Sequence, residues 1–180
     1  MVMEKKDEIL RTALEIVSIE GIDSLTINTL SSRVGLSKAT MYHYFKSKEE
    51  IINEMLRRGH KRIMRNGFQL DLSGNKEDVL SKAAEKWENM LLDEENWHFL
   101  RAVFSLHFTL DAAQDEYRSL YLMLSSQASV IISSFDIKEE RKRALVPLFS
   151  SALMMSLERI FEDEEADFST PLVGVLSLLV

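Results

Sequence analysis

Three helix starts fall within about twenty residues of this 180-residue chain, and that spacing leaves its N-terminal third little freedom. Thr26 is the first start. Its hydroxyl suits an orphan amide of a first helical turn, and Leu25 and Leu30 stand at the spacing of a hydrophobic staple. The helix it opens runs to about Val34, and Gly35 follows where the chain must turn and a left-handed residue costs little. The arrangement repeats with Leu36, a Ser37 cap and Met41 as the staple partner. Ser47 with Glu50 then forms a capping box. Two very short helices and the opening of a longer one result. Upstream, Leu10, Ala13, Leu14 and Val17 make an apolar stripe that ends at Gly21, which predicts a first helix over roughly residues 4 to 20. Ile27, Leu30 and Val34, like Met41 and Phe45, recur at helical spacing. Three helices sharing these residues as a core leave one face of the second short helix, about Lys38 to Phe45, outside.

That outer face carries Lys38, Thr40, Tyr42, His43 and Tyr44, with Lys46 and Lys48 just beyond it. Tyr and Thr hydroxyls reach phosphates, Lys neutralises them, and His can hydrogen-bond to a base edge. A short capped helix, a glycine turn and a second helix with such a face make a helix-turn-helix DNA reader. An aromatic-rich helix packed against another domain is the plain alternative.

The stretch Gly21 to Glu54 resembles the DNA-binding region of TetR-family transcriptional regulators. The matching residues are the Thr26 start, Gly35-Leu36-Ser37-Lys38, and the run Tyr42-His43-Tyr44-Phe45-Lys46-Ser47-Lys48-Glu49-Glu50; Ala39 departs from a frequent Gly or Pro. The resemblance covers about a third of the chain. It implies an all-α fold, with an N-terminal three-helix helix-turn-helix domain and a C-terminal helical ligand-binding and dimerisation domain. It implies backbone contacts from Thr26 and Ser37, base-edge contacts from Thr40 and His43, and phosphate contacts from Tyr42, Tyr44, Lys46 and Lys48. It also implies a homodimer on double-stranded DNA, usually as a repressor.

Formal charge −7 looks wrong for such a role until it is divided along the chain. Residues 1 to 66 balance at +3 and residues 67 to 180 at −10, so the basic part contains the reader. So modest a local charge suggests reliance on dimerisation and specific contacts, and argues against a general nucleic-acid coat protein. The chain has no Cys, which fits a reducing cytoplasm. The N-terminus shows no apolar signal core, and no stretch approaches the length of a membrane span. No Gly-rich phosphate loop is present. The four His, at 43, 60, 98 and 107, are scattered, and His107 with Asp111 makes a pair at four-residue spacing. Two ligands do not make a zinc site, so neither a catalytic function nor a metal or cofactor is expected.

The expected domains are residues 1–46 for DNA binding and 47–180 for effector binding and dimerisation, with 47–67 as a connecting helix. That helix carries Arg57, Arg58, Lys61, Arg62 and Arg65, a stripe suited to DNA or, as the favoured reading, to a solvated face that meets the acidic second domain. Asp71 to Asn75 reads as a linker. Five helices follow, over about 76–92, 95–110 and 113–135, then from an Asp136/Glu139 capping box to about Phe161, and last from Thr170-Pro171. The last two are too apolar for a surface. Val146, Phe149, Leu153, Leu157 and Ile160 spread over more than one face, and Leu172, Val175, Leu176 and Leu179 follow in a segment where seven of ten residues are Leu or Val. A two-fold four-helix bundle would cover them. Trp87, Met90, Trp97, Phe104, Phe108, Tyr117 and Tyr121, with Asn66 and His107 as polar groups, are candidates to line a pocket for an apolar or amphipathic small-molecule effector. The same residue types build ordinary helical cores. Two other functions stay open: a regulator controlled by a protein partner without a small ligand, and a helical enzyme or scaffold in which the Tyr-His-Tyr helix is structural.

Overall fold

The computed structural model describes residues 2–66 and 69–162. These form eight α-helices and one 3-10 turn, with no strand among the described residues. The helices are α1 (Val2–Glu20), α2 (Ile27–Val34), α3 (Lys38–Tyr44), α4 (Lys48–Asn66), α5 (Lys76–Leu92), α6 (Glu94–Leu106), α7 (Asp111–Ser133) and α8 (Glu139–Glu162). The 3-10 turn, Ile22–Ser24, was not foreseen from the sequence. It joins the end of α1 to the Thr26 cap and opens on Gly21, whose φ of 86° few other residues adopt.

The chain divides into two compact units. The first contains Met1–Arg65 and Leu92–Glu116. Its core is Ile9, Leu10, Ala13, Leu14, Ile16 and Val17 of α1, Leu30 and Val34 of α2, Met41 and Phe45, and Ile51, Met55, Leu56 and Ile63 of α4. Phe99, Leu100, Ala102 and Val103 of α6 are buried in the same unit, and α6 packs along α1. Each fully buried Leu, Ile, Phe or Met contributes about 1.5–3 kcal/mol, far more than the intrinsic helix propensity of segments this short. Asp93 caps α6 by accepting from the Asn96 amide at 3.0 Å, and the same carboxylate holds the Arg62 guanidinium, Nε to Oδ1 at 3.2 Å and a second nitrogen to Oδ2 at 2.5 Å. That guanidinium holds the Asp93 carboxyl below the usual carboxylate range. Arg58 pairs with Asp7 and Glu95, and Arg57 with Glu54. Arg58 and Arg62 are thus engaged by carboxylates, two of them at the start of α6. On α4, His60 meets Glu116 at 2.6 Å, and burial pushes that carboxyl up.

The second unit contains Asn66–Leu91 and Tyr117–Val180. Val79, Ala83 and Trp87 of α5, Leu120, Leu124, Ala128 and Ile131 of α7, and Phe149, Leu153 and Leu157 of α8 form its core. The Trp87 indole donates to Gln127 Oε1 at 2.8 Å, and its ring lies 5.9 Å from that of Phe149. The segment before α5 is tightly organised: Asp71 accepts from the Ser73 amide, and Asn75 and Asp78 exchange side-chain bonds with each other's amides. At the other end, α8 starts at Glu139 itself, so the Asp136/Glu139 box expected to open it is not where the helix begins. The expected helix from Thr170-Pro171 lies outside the described residues.

Candidate nucleic-acid interface

The reader is built from local chemistry. Thr26 caps α2 by accepting from the Thr29 amide at 3.0 Å, and Ser37 caps α3 by accepting from the Thr40 amide at 3.1 Å. In each case the two hydroxyls also meet, Thr26 with Thr29 at 2.9 Å and Ser37 with Thr40 at 2.8 Å. Between the helices Gly35 sits in the left-handed region at φ 68°, and the Leu36 amide reaches back to the Ser31 carbonyl at 2.9 Å. On α3, Met41 is fully buried and Phe45 follows it inward, with the Lys6 ammonium 5.0 Å over the Phe45 ring. Those two anchors fix how the helix is rotated.

The other face is open. Lys38, Tyr42, His43 and Lys46 are exposed, Thr40 and Tyr44 are half-buried, and Thr26 and Ser37 are exposed at the two helix starts. Tyr42 leaves 55% of its surface accessible, which a core aromatic would not. Ser47 and Glu50 shape the next turn: the Glu50 amide donates to Ser47 Oγ at 3.2 Å, while the Glu50 carboxylate accepts from the Lys46 amide at 2.6 Å, one residue ahead of the expected box partner. Lys48 differs from the other lysines of this face. It is half-buried and its ammonium donates to the Ile22 carbonyl at 2.7 Å. Sequence reasoning missed that contact and its counterpart, Lys5 to the Val34 carbonyl at 3.1 Å. The available signal was a lysine in the first turn of α4, where the helix dipole disfavours a cation.

The aromatic candidates for an effector pocket are distributed over both units. Trp87 and Met90 are buried in the second unit, and Trp87 is taken up by Gln127 and Phe149. Tyr117 and Tyr121, in the same unit, are half-buried, and burial pushes the Tyr117 phenol up. In the first unit Trp97 and Phe104 are half-buried, the former with Arg101 4.9 Å from its ring. His107 donates from Nδ1 to the Phe104 carbonyl at 2.8 Å, and its ring stands 3.9 Å from Phe108, which is 88% exposed at the turn after α6. So Phe108 lines no enclosed space within its unit. Asn66 is the last residue of α4. Two open clefts occur elsewhere. One of about 320 Å³ in the first unit is lined by Arg11, Glu15, Arg62, Asp93 and His98 among others, and one of about 300 Å³ in the second includes Leu72, Lys76 and Phe135. Neither contains any of the aromatic candidates.

The expected dimer residues also separate. Phe149, Leu153 and Leu157 are buried inside their own unit, because this side of α8 faces Trp87 and the rest of that core. They hold α8 in place instead of offering a face to a second chain. Val146 and Ile160 are half-buried, while Leu148 and Met155, which the sequence reading passed over, are 55% and 62% exposed. Leu172, Val175, Leu176 and Leu179 lie outside the described residues.

Comparison with known proteins agrees with this geometry. Residues 9–55 match the family described as bacterial regulatory proteins, tetR family. The HTH-type transcriptional repressor KstR2 of Mycolicibacterium smegmatis is 32% identical over 53 residues, which are 29% of this chain and 26% of that repressor. The chain therefore matches about a quarter of that relative's length. Over nearly the whole chain the fold is similar to a protein of Saccharomonospora viridis described as a transcriptional regulator and solved with choline, at TM-score 0.74 and 18% identity, covering 98% of this chain and 96% of that one. It is similar also to the TetR-family regulator PfmR of Thermus thermophilus, at TM-score 0.69 and 20% identity, covering 95% and 96%.

Proposed function

We propose that this chain, which belongs to the TetR family of bacterial regulatory proteins, is a sequence-specific DNA-binding repressor released from a palindromic operator by a small-molecule effector. The observation that carries the reading is the outer face of α3: Met41 and Phe45 are buried beneath it, while Tyr42 and His43 stand in solvent beside Lys38 and Lys46. Thr40 and His43 read base edges. Thr26, Ser37, Lys38, Tyr42, Tyr44 and Lys46 hold the phosphate backbone on either side. Residues 1–46 form the reader, and 47–180, with 47–67 as the connecting helix, bind the effector and the second subunit. Such a regulator works where the chromosome is, in the cytoplasm.

Reading a palindrome requires two copies of α3 about 34 Å apart, one helical turn of DNA. Leu148 and Met155 lie two turns apart on α8, and Leu122 and Val130 are likewise exposed on α7. These residues support a homodimer whose second copy covers them. An effector then needs only unequal affinity for two spacings of the readers. A hundredfold preference supplies about 2.7 kcal/mol, and ligand and operator weaken each other reciprocally. The choline held by the Saccharomonospora protein supports a small ligand. A second reading, control by a protein partner without a small ligand, is favoured by one feature: Trp87 is already satisfied by Gln127 and Phe149. Selection of bound fragments from random DNA, with and without a metabolite extract, tests the proposal. A palindromic consensus lost in extract is the expected result. A consensus that extract leaves intact favours the protein partner, and no retained DNA at low salt overturns the reading.

A further inference from the structure

The short helix α2 has eight residues, too few for its own hydrogen bonds to fix its position, and two lysines from neighbouring helices hold the 3-10 turn that leads into it and the last residue of the helix. In front of it, the Ile22 carbonyl of the 3-10 turn already accepts the Leu25 amide at 3.2 Å and takes the Lys48 ammonium as a second donor at 2.7 Å. Behind it, the carbonyl of Val34, its last residue, accepts the Lys5 ammonium at 3.1 Å. Lys48 comes from the first turn of α4 and Lys5 from α1. Lys5 at a helix C-terminus is favoured by the dipole, but Lys48 at an N-terminus is opposed by it, and the next two residues, Glu49 and Glu50, have the sign the dipole prefers. A cation kept there, half-buried and aimed at a carbonyl, serves the contact it makes. Hydrogen bonds from charged donors are about twice as strong as neutral ones.

We infer that Lys48 is a positioning residue for operator recognition: with Lys5 opposite, it braces α2 between α4 and α1 and so sets how α3 is presented, instead of spending its charge on a phosphate. This rests on the DNA-binding function proposed above. Lys46, exposed and with only its amide engaged, is the contrasting case.

The test compares Lys48→Met, Lys48→Arg and Lys46→Ala in the full chain. Amide hydrogen exchange is read on the free protein, and affinity for the selected operator and for an unrelated duplex is read across a salt series. Lys48→Met should speed exchange at residues 22–30 before any DNA is added. It should lower operator affinity about tenfold, the worth of one hydrogen bond from a charged group, with the salt slope as in the parent. Lys48→Arg should restore both. Lys46→Ala should leave exchange unchanged and reduce the slope by about one. Unchanged exchange in Lys48→Met overturns the inference, whether or not its slope falls as a phosphate contact requires. Should Lys48→Met fold poorly, faster exchange at residues 30–36 in Lys5→Met is the supporting result, and none the refuting one. Because the exchange arm needs no DNA, a parent that binds no operator defeats the function while leaving the brace measured on its own.

Discussion

Gly59 on α4 faces the Phe99 ring of α6, and replacing it with Ala gives a prediction whose sign depends on that ring. A Cβ built at Gly59 would lie 2.5 Å from Phe99 Cγ and 2.7 Å from Cε2, with Cδ2 nearer still. Phe99 is 3% exposed, so the ring has nowhere to go without disturbing its neighbours. Overpacking of this kind costs about 1–3 kcal/mol. Alanine in a helix interior gains about 0.8–1 kcal/mol over glycine. At all but the mildest clash the ring decides the sign, and Gly59→Ala should destabilise by up to about 2 kcal/mol, lowering Tm by up to about 8 °C for a chain of this size. With Phe99→Ala as background the clash is gone and only the propensity remains, so the same substitution should stabilise by up to about 1 kcal/mol. Urea unfolding of the four proteins of this cycle measures both steps. Gly59→Ala stabilising the parent, or destabilising equally in both backgrounds, would refute the close approach of α4 and α6.

His43→Ala should keep the parent's Tm and lose discrimination among operator variants by about 1–3 kcal/mol, read in competition binding; undiminished discrimination would remove His43 from the base contacts. Burial holds the His98 imidazole below its ordinary value of 6.5, against the opposing pull of Glu15 and Glu94. The unfolded chain therefore takes up the proton first, and the stability this neutral ring contributes is complete above pH 6.5 and lost as pH falls through the lower folded value. Chemical denaturation between pH 7.5 and 5, about the range where His titrates, should show a shallower loss for His98→Gln than for the parent. Gln127→Leu should leave the Trp87 indole buried without its acceptor and cost about 1–3 kcal/mol, with a change in tryptophan emission. Leu148→Glu with Met155→Glu should give monomers with poor operator binding; an unchanged dimer in sedimentation would place the seam elsewhere.

Where structure follows from neighbours in sequence, the residues announced it. Thr26, Gly35 and Ser37 act through atoms one to four residues away, so the boundaries of α2 and α3 and the burial of Met41 and Phe45 could be read directly. Partner choice across long separations could not. Nothing in the pattern of α6 says that it packs along α1, where His98 meets Ser18 80 positions earlier, and the expected boundary between domains gives no hint of it. The Arg58 and Arg62 charges could have suited phosphate or carboxylate until Asp7, Asp93 and Glu95 came into reach. On α8 apolar residues occupy several faces, so helical periodicity did not tell which would pack on Trp87 and which, like Leu148 and Met155, would remain outside. Exposure of the reader was legible for the same reason as its caps: two apolar anchors, one on a seven-residue helix and one at its C-cap, leave one way for it to turn.

The paired hydroxyls at the two helix starts have a consequence for how closely a duplex must fit them. Between Ser37 and Thr40 one hydroxyl hydrogen lies along the 2.8 Å line joining the oxygens, and the second is free to point outward from either atom. Exchanging which oxygen donates moves the outgoing proton sideways by that distance with no movement of the main chain. Thr26 and Thr29 have the same option at the start of α2. Where these starts meet phosphates as proposed, an acceptor displaced by a couple of ångströms would still find a donor, so duplexes of slightly different shape can be held without first rebuilding the protein.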